Sequence, residues 1–214
     1  MNKVDIIICT HNNEDIISRC LDSVKKQTFK DFNCILADDC SQDNTVSIVK
    51  RTYPWVKIIK KDRQTGPAMS RNTAIERTRS DFIATMDSDA QLHRDWLKEQ
   101  LKVMHTDESI GIAASKIVYS WNKRRINSCG GSMIKEGFGF DLLSGADAEK
   151  QKFFLRPVLY GHSAAMLIRR KMLQEIGVFD SAYFYGNEDT DIGWRANIAG
   201  WKVIFNPNAV AYHE

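Results

Sequence analysis

Two carboxylates separated by one serine, Asp87-Ser88-Asp89, end a short apolar run that begins at Phe82. The run predicts a buried strand because it is short, mostly apolar and bounded by polar residues. In an open parallel sheet, ligands bind beyond the carboxyl ends of the strands, so these acids should face a ligand crevice. Two acids this close repel each other unless a cation lies beside them, and their hard oxygens suit Mg²⁺ or Mn²⁺. The alternative is that Ser88 or Asp89 caps a following helix.

Polar residues also end two earlier apolar runs of the chain. Thr10-His11-Asn12 follows the first run, and Asp38-Asp39 follows the second. If the sheet is parallel, all three polar ends lie at one edge, as they do in a nucleotide crevice. An ionised acid such as Asp39 only accepts hydrogen bonds, which suits a base N–H or a ribose hydroxyl.

The phosphate-binding signatures of two other nucleotide sites are absent from the sequence. No G-x-G-x-x-G follows the first strand, and no G-x-x-x-x-G-K-[ST] occurs anywhere. Dinucleotide-binding and P-loop sites are therefore disfavoured. A diphosphate would need another neutralising group, and a divalent cation on Asp89 could supply it.

A further acidic cluster, Glu188-Asp189-Thr190-Asp191, begins a predicted helix. Acids in a first turn interact favourably with the helix dipole and Asn187 suits a cap, so a structural role is one interpretation, favoured for Asp191. Glu188 and Asp189 are adjacent and project in different directions on a helix, so at most one should face a reacting group. One carboxylate near a metal-bound diphosphate could serve as the general base that deprotonates a sugar hydroxyl.

The elements that must position these residues alternate between strands and helices. Apolar periodicity predicts strands at 4–9, 32–37, 56–59 and 82–86. Helices are predicted between them, the first starting near Glu14, the second running from Asp43 to Tyr53 and the third opening at Gly66-Pro67. This alternation predicts a parallel sheet with helices on both faces over the first hundred residues.

The second part of the chain follows a different pattern. A helix is predicted around 96–104, a strand at 110–119, and a Gly- and Asn-rich hairpin or mobile loop at 120–140. Residues 141–157 show no clear period apart from a possible short helix near 146–151. A strand at 164–168, helices at 170–176 and 188–199, and two strands at 202–205 and 209–212 complete the prediction.

Composition indicates one ordinary globular domain. The chain has 214 residues, 43% of them hydrophobic and 27% charged, and a formal net charge of +3. That charge is too small to indicate a nucleic-acid partner. Neither a signal-peptide apolar region nor a run long enough to span a membrane occurs. The five cysteines are odd in number and never spaced C-x-x-C, so reduced thiols and a cytoplasmic location are expected.

The motifs occur in an order that resembles a known family. Thr10-His11-Asn12, Asp38-Asp39-Cys40-Ser41, Arg71-Asn72, Asp87-Ser88-Asp89 and Glu188-Asp189-Thr190-Asp191 together are similar to the inverting glycosyltransferases of family 2. The resemblance covers essentially the whole chain. It implies an α/β fold of the GT-A, Rossmann-like type, with a mostly parallel central sheet, helices on both faces and a small antiparallel acceptor-side region. One catalytic domain, 1–214, would comprise a nucleotide-binding half, 1–100, and an acceptor-binding half, 101–214.

The resemblance also implies roles on the donor side. Thr10, Asp39 and Arg71 would contact the nucleoside, and Asp87 would lie near the ribose and phosphates. His11 departs from the commoner Thr-Tyr-Asn. The predicted nucleotide-sugar-binding residues are Thr10, Asn12, Asp39, Arg71, Asp87 and Ser88.

On the metal and acceptor side, the resemblance implies that Asp89 holds Mn²⁺ or Mg²⁺ and that His213 completes the metal site. Asp189 matches the second acid of the family's Glu-Asp pair and would be the catalytic base. The predicted acceptor-binding residues are Glu188, His162 and Trp194. The stretch 177–203 further resembles rhamnosyltransferase-like members.

These roles predict a single displacement in which Asp189 deprotonates an acceptor hydroxyl and a cation on Asp89 stabilises the departing diphosphate. The expected partners are a UDP- or dTDP-linked sugar and a saccharide or lipid-linked saccharide acceptor. The setting is the cytoplasm, with peripheral association at the inner membrane face left open. Two alternatives are a sugar nucleotidylyltransferase, which would want a glycine-rich basic loop after the first strand, and a catalytically silent nucleotide-sugar-binding domain.

Overall fold

The computed structural model describes residues 4–214; residues 1–3, which lead into the first predicted strand, lie outside the described residues. The strands are β1 (Val4–Thr10), β2 (Phe32–Asp38), β3 (Lys57–Lys60), β4 (Phe82–Asp87), β5 (Gln91–Leu92), β6 (Ile110–Tyr119), β7 (Ile126–Ser128), β8 (Gly131–Met133), β9 (Gly139–Asp141), β10 (Arg156–Pro157), β11 (Ala165–Arg169) and β12 (Lys202–His213). The helices are α1 (Ile17–Lys25), α2 (Thr45–Thr52), α3 (Pro67–Glu76), α4 (Trp96–Met104), α5 (Arg170–Ile176) and α6 (Glu188–Ile198), with a 3₁₀ turn at Ala148–Lys150.

One large sheet takes strands from both parts of the chain. Its order is β10-β12-β6-β11-β4-β1-β2-β3, with β5 paired to β12 and β7 paired to β6. The pairs β1–β2, β1–β4, β2–β3 and β6–β12 are parallel, whereas β11 runs antiparallel to both β4 and β6. The strands β1, β2, β3, β4, β6 and β12 therefore point the same way, and their carboxyl ends share one edge. The predicted mostly parallel sheet is confirmed.

Both faces of the sheet are covered, which explains why β1 is apolar almost throughout. Ile6 and Ile8 pack into the core on one face, and Ile7 and Cys9 pack into the core on the other. Strands buried on both faces give continuous apolar runs rather than alternating ones. The one acid in this run, Asp5, is buried and pairs with Arg170 at 3.4 Å.

Two details of the large sheet differ from the sequence prediction. The strands predicted at 202–205 and 209–212 form one strand, β12, which continues through a register shift between Asn206 and Val210. Residues 206–208, which separate the two predicted strands, form a bulge, because β12 pairs with β6 both before and after them. The short strand β5 was not predicted, since two residues carry no periodicity.

The Gly-rich segment forms the antiparallel β8–β9 hairpin, which confirms the predicted hairpin and gives the small second sheet. All five cysteines are free thiols. Across residues 4–214, helices that combine the length and apolarity needed for a membrane crossing are not found.

Candidate active site

A cavity of about 620 Å³ opens at the edge where the parallel strands end. The ends of β1, β2 and β4, the start of α3, the start of α6 and the end of β12 line it. Because β11 runs the opposite way, the residues that precede it, His162 and Ser163, reach the same edge. Strand direction therefore brings polar residues from distant parts of the chain to one cavity.

Three side chains in this cavity form a ligand set suited to a divalent cation. One ligand atom each from Asp87, Asp89 and His213 lies within 4.8 Å of the others. Nε2 of His213 is 3.3 Å from Oδ1 of Asp89. Two carboxylates and an imidazole are donors that Mn²⁺ and Mg²⁺ accept, so the residues fit the predicted cation.

The pKa values of Asp89 and His213 reflect their pairing. Burial alone would raise the pKa of Asp89, but the hydrogen bond and charge of His213 hold it below its ordinary value. Burial alone would lower the pKa of His213, but Asp89 raises it above the ordinary imidazole value. The alternative helix-cap reading of Asp87-Ser88-Asp89 is wrong, because β5 follows and the next helix begins only at Trp96.

Arg71 connects the metal-site acids to the acidic start of α6. Its Nη2 donates to Oδ1 of Asp87 at 2.7 Å, and its Nη1 donates to Oε1 of Glu188 at 2.7 Å. The guanidinium is almost fully buried and lies 5.5 Å from the centroid of the Phe179 ring. The family resemblance implies that Arg71 contacts the nucleoside; in the structure two carboxylates accept hydrogen bonds from its terminal nitrogens.

Glu188 is the buried member of the Glu-Asp pair. Its Oε1 accepts from Arg71 and from the hydroxyl of Ser163 at 3.4 Å, while its buried Oε2 has no hydrogen-bond partner among the described residues. A buried carboxylate oxygen without a hydrogen-bond partner costs free energy of folding, and a donor from a ligand would remove that cost. Glu188 lines the cavity, where the acceptor prediction places it, but most of its surface contacts protein.

Asp189 points into the cavity and has an unusual environment. Its oxygens accept hydrogen bonds from the backbone N–H groups of Ser163, at 3.3 Å, and Thr190, at 2.8 Å. Burial raises the pKa of Asp189 above the ordinary value; His162 opposes this shift and Glu188 adds to it. The centroids of the His162 and His213 rings are 5.5 Å apart, so His162 is near a cation ligand and also acts on the charge of Asp189.

The structural interpretation of this cluster is met only in part. Asn187 has a left-handed φ of 68° and makes no side-chain cap hydrogen bond, so the predicted cap is absent. The acids do lie in the first turn of α6, and Asp189 accepts from the N–H of Thr190 there. Asp191 instead pairs with Arg195 one turn along at 2.6 Å, so its predicted structural role matches its contacts.

On the opposite side of the cavity, Asp39 is largely occupied by its own neighbours. Its carboxylate accepts from the N–H groups of Thr65 and Gly66 and pairs with Lys61 at 3.0 Å. Burial would raise the pKa of Asp39, but Lys61 and these N–H groups lower it below the ordinary value. Gly66 is required here, because its φ is +86° and an added Cβ would collide with the carbonyl oxygen of Phe184.

The other predicted donor residues divide into two groups. Thr10 and Ser88 line the cavity, and both hydroxyls donate to Oδ1 of Asn13, at 3.1 and 2.7 Å. Asn12 does not line it; its side-chain oxygen accepts from the N–H of Gln42. Asn13, which the predicted set omitted, therefore ties β1 to β4 at the cavity.

Of the predicted acceptor residues, Glu188 and His162 line the cavity and Trp194 does not. Trp194 follows the buried Ile192 and Gly193 on α6, so its side chain projects to solvent and is 45% exposed. Residues 184–186 also line the cavity but are not among the predicted site residues. The adjacent Phe184-Tyr185 before a glycine and a helix start was the available signal.

Most of the chain that carries this site matches a model of a known protein family. Residues 5–177 match the model described as "Glycosyl transferase family 2". The chain belongs to glycosyl transferase family 2. The family resemblance inferred from the ordered motifs is confirmed.

Relatives of this family 2 chain are distant but span it fully. Glycosyltransferase AglE of Haloferax volcanii is 22% identical over 98% of this chain and 66% of its own length. The pre-mycofactocin glycosyltransferase of Mycobacterium tuberculosis is 26% identical over 99% of this chain and 42% of its own length. The family 2 chain therefore spans less than two thirds of these relatives.

Solved structures confirm the GT-A fold of this family 2 chain. Mannosyltransferase PcManGT from Pyrobaculum calidifontis, in complex with GDP-Man and Mn²⁺, aligns with a TM-score of 0.74 and 20% identity over 99% of this chain and 56% of its own. GalNAc-T7 with UDP, GalNAc and Mn²⁺ aligns with a TM-score of 0.82 and 17% identity over 99% of this chain and 43% of its own. At these identities the likeness shows the fold.

Proposed function

We propose that the chain is the catalytic part of a metal-dependent inverting glycosyltransferase, which moves a sugar from a nucleoside-diphosphate donor to an acceptor hydroxyl. The observation that carries this proposal is one cavity that holds both a cation ligand set and a carboxylate of raised pKa. The first suits a diphosphate leaving group, and the second suits proton removal from a hydroxyl.

Asp189 is the proposed base. Its carboxylate takes the proton of the acceptor hydroxyl while that oxygen forms a bond to the anomeric carbon. The bond from the anomeric carbon to the diphosphate oxygen breaks on the opposite face, so the configuration inverts and the nucleoside diphosphate leaves with the electron pair. The N–H groups of Ser163 and Thr190 fix the orientation of the carboxylate.

The remaining residues of the site bind and orient. Asp89 and His213, with Asp87, are the proposed ligands of Mn²⁺ or Mg²⁺. When bound, this cation would neutralise the charge that develops on the diphosphate. Arg71 holds Asp87 and the start of α6 at a fixed separation, because it binds both with short hydrogen bonds.

The donor and acceptor are proposed by chemical class. A UDP- or dTDP-sugar remains the first donor to test, and GDP is a necessary third arm because one structural neighbour was solved with GDP-Man. The acceptor is proposed to be a saccharide or lipid-linked saccharide. The division into halves 1–100 and 101–214, the rhamnosyltransferase-like assignment, the cytoplasmic setting and peripheral membrane association also stay proposals.

Calorimetry with UDP, dTDP and GDP tests the donor site, in Mn²⁺ and in chelator, on the wild-type protein and on Asp89→Ala. We expect micromolar binding of one nucleotide that requires both Mn²⁺ and Asp89. The matched control is Asp31→Ala, which removes an exposed acid just before β2, at the opposite edge of the sheet. A folded protein that binds none of the three nucleotides would overturn the donor-site assignment.

Slow Mn²⁺-dependent hydrolysis of the preferred donor then separates a transferase from a silent binding domain. An enzyme should release free sugar, since water can replace the acceptor, whereas a binding domain should return the donor intact. Release of nucleoside triphosphate from donor and pyrophosphate would instead indicate the nucleotidylyltransferase alternative.

A further inference from the structure

A second cavity, of about 500 Å³, lies beside the proposed catalytic one. It is formed by α1, the β5 segment, the turn after β6 and the end of β12. None of the predicted site residues lines it. The residues that line it include four cations, one carboxylate and two aromatic side chains: Arg19, Lys26, Arg94, Lys123, Glu214, Trp121 and Tyr212.

The charge of this second cavity is concentrated and largely unpaired. Its excess of cations over carboxylates equals the formal net charge of the whole chain, +3. In the described part of the chain, Lys26, Arg94 and Lys123 have no carboxylate within salt-bridge distance. Like charges gathered in a concave surface reinforce each other's field and raise the local concentration of anions.

Glu214 shows how an anion can occupy the cavity. Its carboxylate accepts a hydrogen bond from Nη2 of Arg19 at 2.8 Å. This carboxylate stands in for an oxyanion that accepts one charge-assisted hydrogen bond from the guanidinium. The pair is exposed on both sides, so a ligand can displace it at little cost.

Aromatic rings give the second cavity a surface for an apolar sugar face. The Trp121 side chain is 71% exposed and stacks on Tyr119 with ring centroids 5.1 Å apart. Nζ of Lys123 lies 4.8 Å from the centroid of the Tyr212 ring. A ring face beside a cation suits a ligand that alternates sugar or polyol units with negative charge.

The second cavity also adjoins the proposed catalytic cavity. Glu214 lines both, and Arg19 and Gln91 reach a small crevice that Asp89 also lines. His213, a proposed cation ligand, is next to Tyr212 on β12. A chain-like molecule in the second cavity can therefore extend to the reacting centre.

We propose that the second cavity is an acceptor subsite for a phosphate-bearing saccharide or polyol chain. This inference rests on the proposed function and adds the chemical class of the acceptor. The exposed aromatic ring beside the cations and the continuity of this cavity with the proposed catalytic one favour such a chain over a membrane surface, because the chain can reach the reacting centre. In this subsite the cations bind the phosphate groups of the chain, and Trp121 contacts the sugar or polyol unit between two phosphates.

The experiment measures binding of a mannose tetramer joined by phosphodiesters, in chelator and without nucleotide, so that the catalytic cation plays no part. Mannotetraose, inorganic phosphate and vesicles containing phosphatidylglycerol are compared in parallel. We expect the phosphodiester tetramer to bind, mannotetraose and inorganic phosphate to bind at least about tenfold more weakly, and the affinity to fall with added salt.

The test variant is Lys26→Glu with Arg94→Glu, which should weaken tetramer binding about tenfold or more because two attractions become repulsions. The matched control is Lys50→Glu with Arg51→Glu, two exposed cations at the end of α2 that line neither cavity. Trp121→Leu, which leaves the charge unchanged, should weaken binding about fivefold.

Equal binding of the tetramer by wild type and by the charge-reversed variant would overturn the proposal. So would binding of vesicles but not of the tetramer, which would make this face a membrane contact. Donor hydrolysis by the wild type is measured separately. If hydrolysis occurs and tetramer binding fails, only the subsite is wrong; if hydrolysis fails, the proposed function is wrong.

Discussion

The acids on the two sides of the proposed active-site cavity differ in how many of their oxygens already have hydrogen-bond partners. On the β1–β2 side, the oxygens of Asp39 accept hydrogen bonds from two backbone N–H groups and pair with Lys61. On the β4–α6 side, Asp87, Asp89 and His213 cluster with spare ligand atoms, and a buried oxygen of Glu188 lacks a partner among the described residues. Both sides carry acids at the ends of parallel strands, so sequence position alone does not distinguish them.

The number of hydrogen bonds that each carboxylate already accepts separates acids that stabilise the walls of the cavity from acids that are available to bind a ligand. An acid with satisfied oxygens fixes the loop that satisfies it, here the segment that leads into α3. An acid with unsatisfied oxygens retains the capacity to bind a cation or a proton. Three substitutions test this difference between the two sides of the cavity, and they follow in order of decreasing expected effect.

The largest effect is expected for Asp189→Asn, which keeps the shape but removes the proposed base. We expect the turnover number for sugar transfer to fall about 10²–10⁴-fold, because a neutral amide cannot take the proton. The matched control is Asp191→Asn, two residues along α6, whose carboxylate pairs with Arg195 instead. A loss of the same size in both variants would contradict the assignment.

The same variant has a pH signature with a defined sign. Burial raises the pKa of Asp189, so the folded protein holds this proton more tightly than the unfolded chain does. Stability is therefore lost as the pH rises from the ordinary carboxyl pKa through the raised value. Asp189→Asn loses one of the two acceptor oxygens but cannot ionise, so its stability relative to the wild type should rise with pH across this window, and wild-type transfer should rise with pH as Asp189 ionises. Chemical denaturation across pH measures the first effect.

A second effect, on stability, is expected for Arg71→Met. The substitution leaves Glu188 and part of Asp87 buried without their cation, at a cost of about 3–5 kcal/mol in the free energy of unfolding. Adding Glu188→Gln should recover part of this loss, since the amide removes the unpaired charge. Urea denaturation measures both variants; a double variant less stable than the single one would show that the bridge is not the cause.

The smallest effect is expected for Asp39→Asn, which keeps one acceptor oxygen but loses the charge. We expect a cost of about 1–2 kcal/mol, because part of the set from Thr65, Gly66 and Lys61 loses its acceptor. The lowered pKa of Asp39 means that its contribution is present above the ordinary carboxyl pKa and is lost in acid. The cost should therefore shrink as the pH falls, and Asp31→Asn should show no such trend.

Much of the fold was predictable from the sequence because apolar runs and strand-end acids are local signals. The four strands of the first hundred residues, and the ordered motifs themselves, required no knowledge of distant contacts. The Arg71 bridge could not be predicted, because its two partners lie on different elements and only the fold brings them together. The position of Trp194 outside the cavity could not be predicted either, because it depends on which face of α6 packs against the sheet.

His162 and Ser163 illustrate a middle case. They precede β11, and a parallel strand there would have placed them at the far edge of the sheet. Only the reversed direction of β11 puts them beside Asp189, and strand direction is a property of pairing rather than of local sequence.

The position of His213 on β12 has a consequence for the order of assembly. Asp89 is placed by the early strands, but its imidazole partner comes from a strand that pairs with β6 and β5 more than half of the chain later. Closing a loop costs conformational entropy, so this pairing forms only together with the contacts of β12 that offset that cost. The proposed cation site is therefore complete only when β12 has docked beside β6 and β5, so cation affinity would report the docking of β12 during folding.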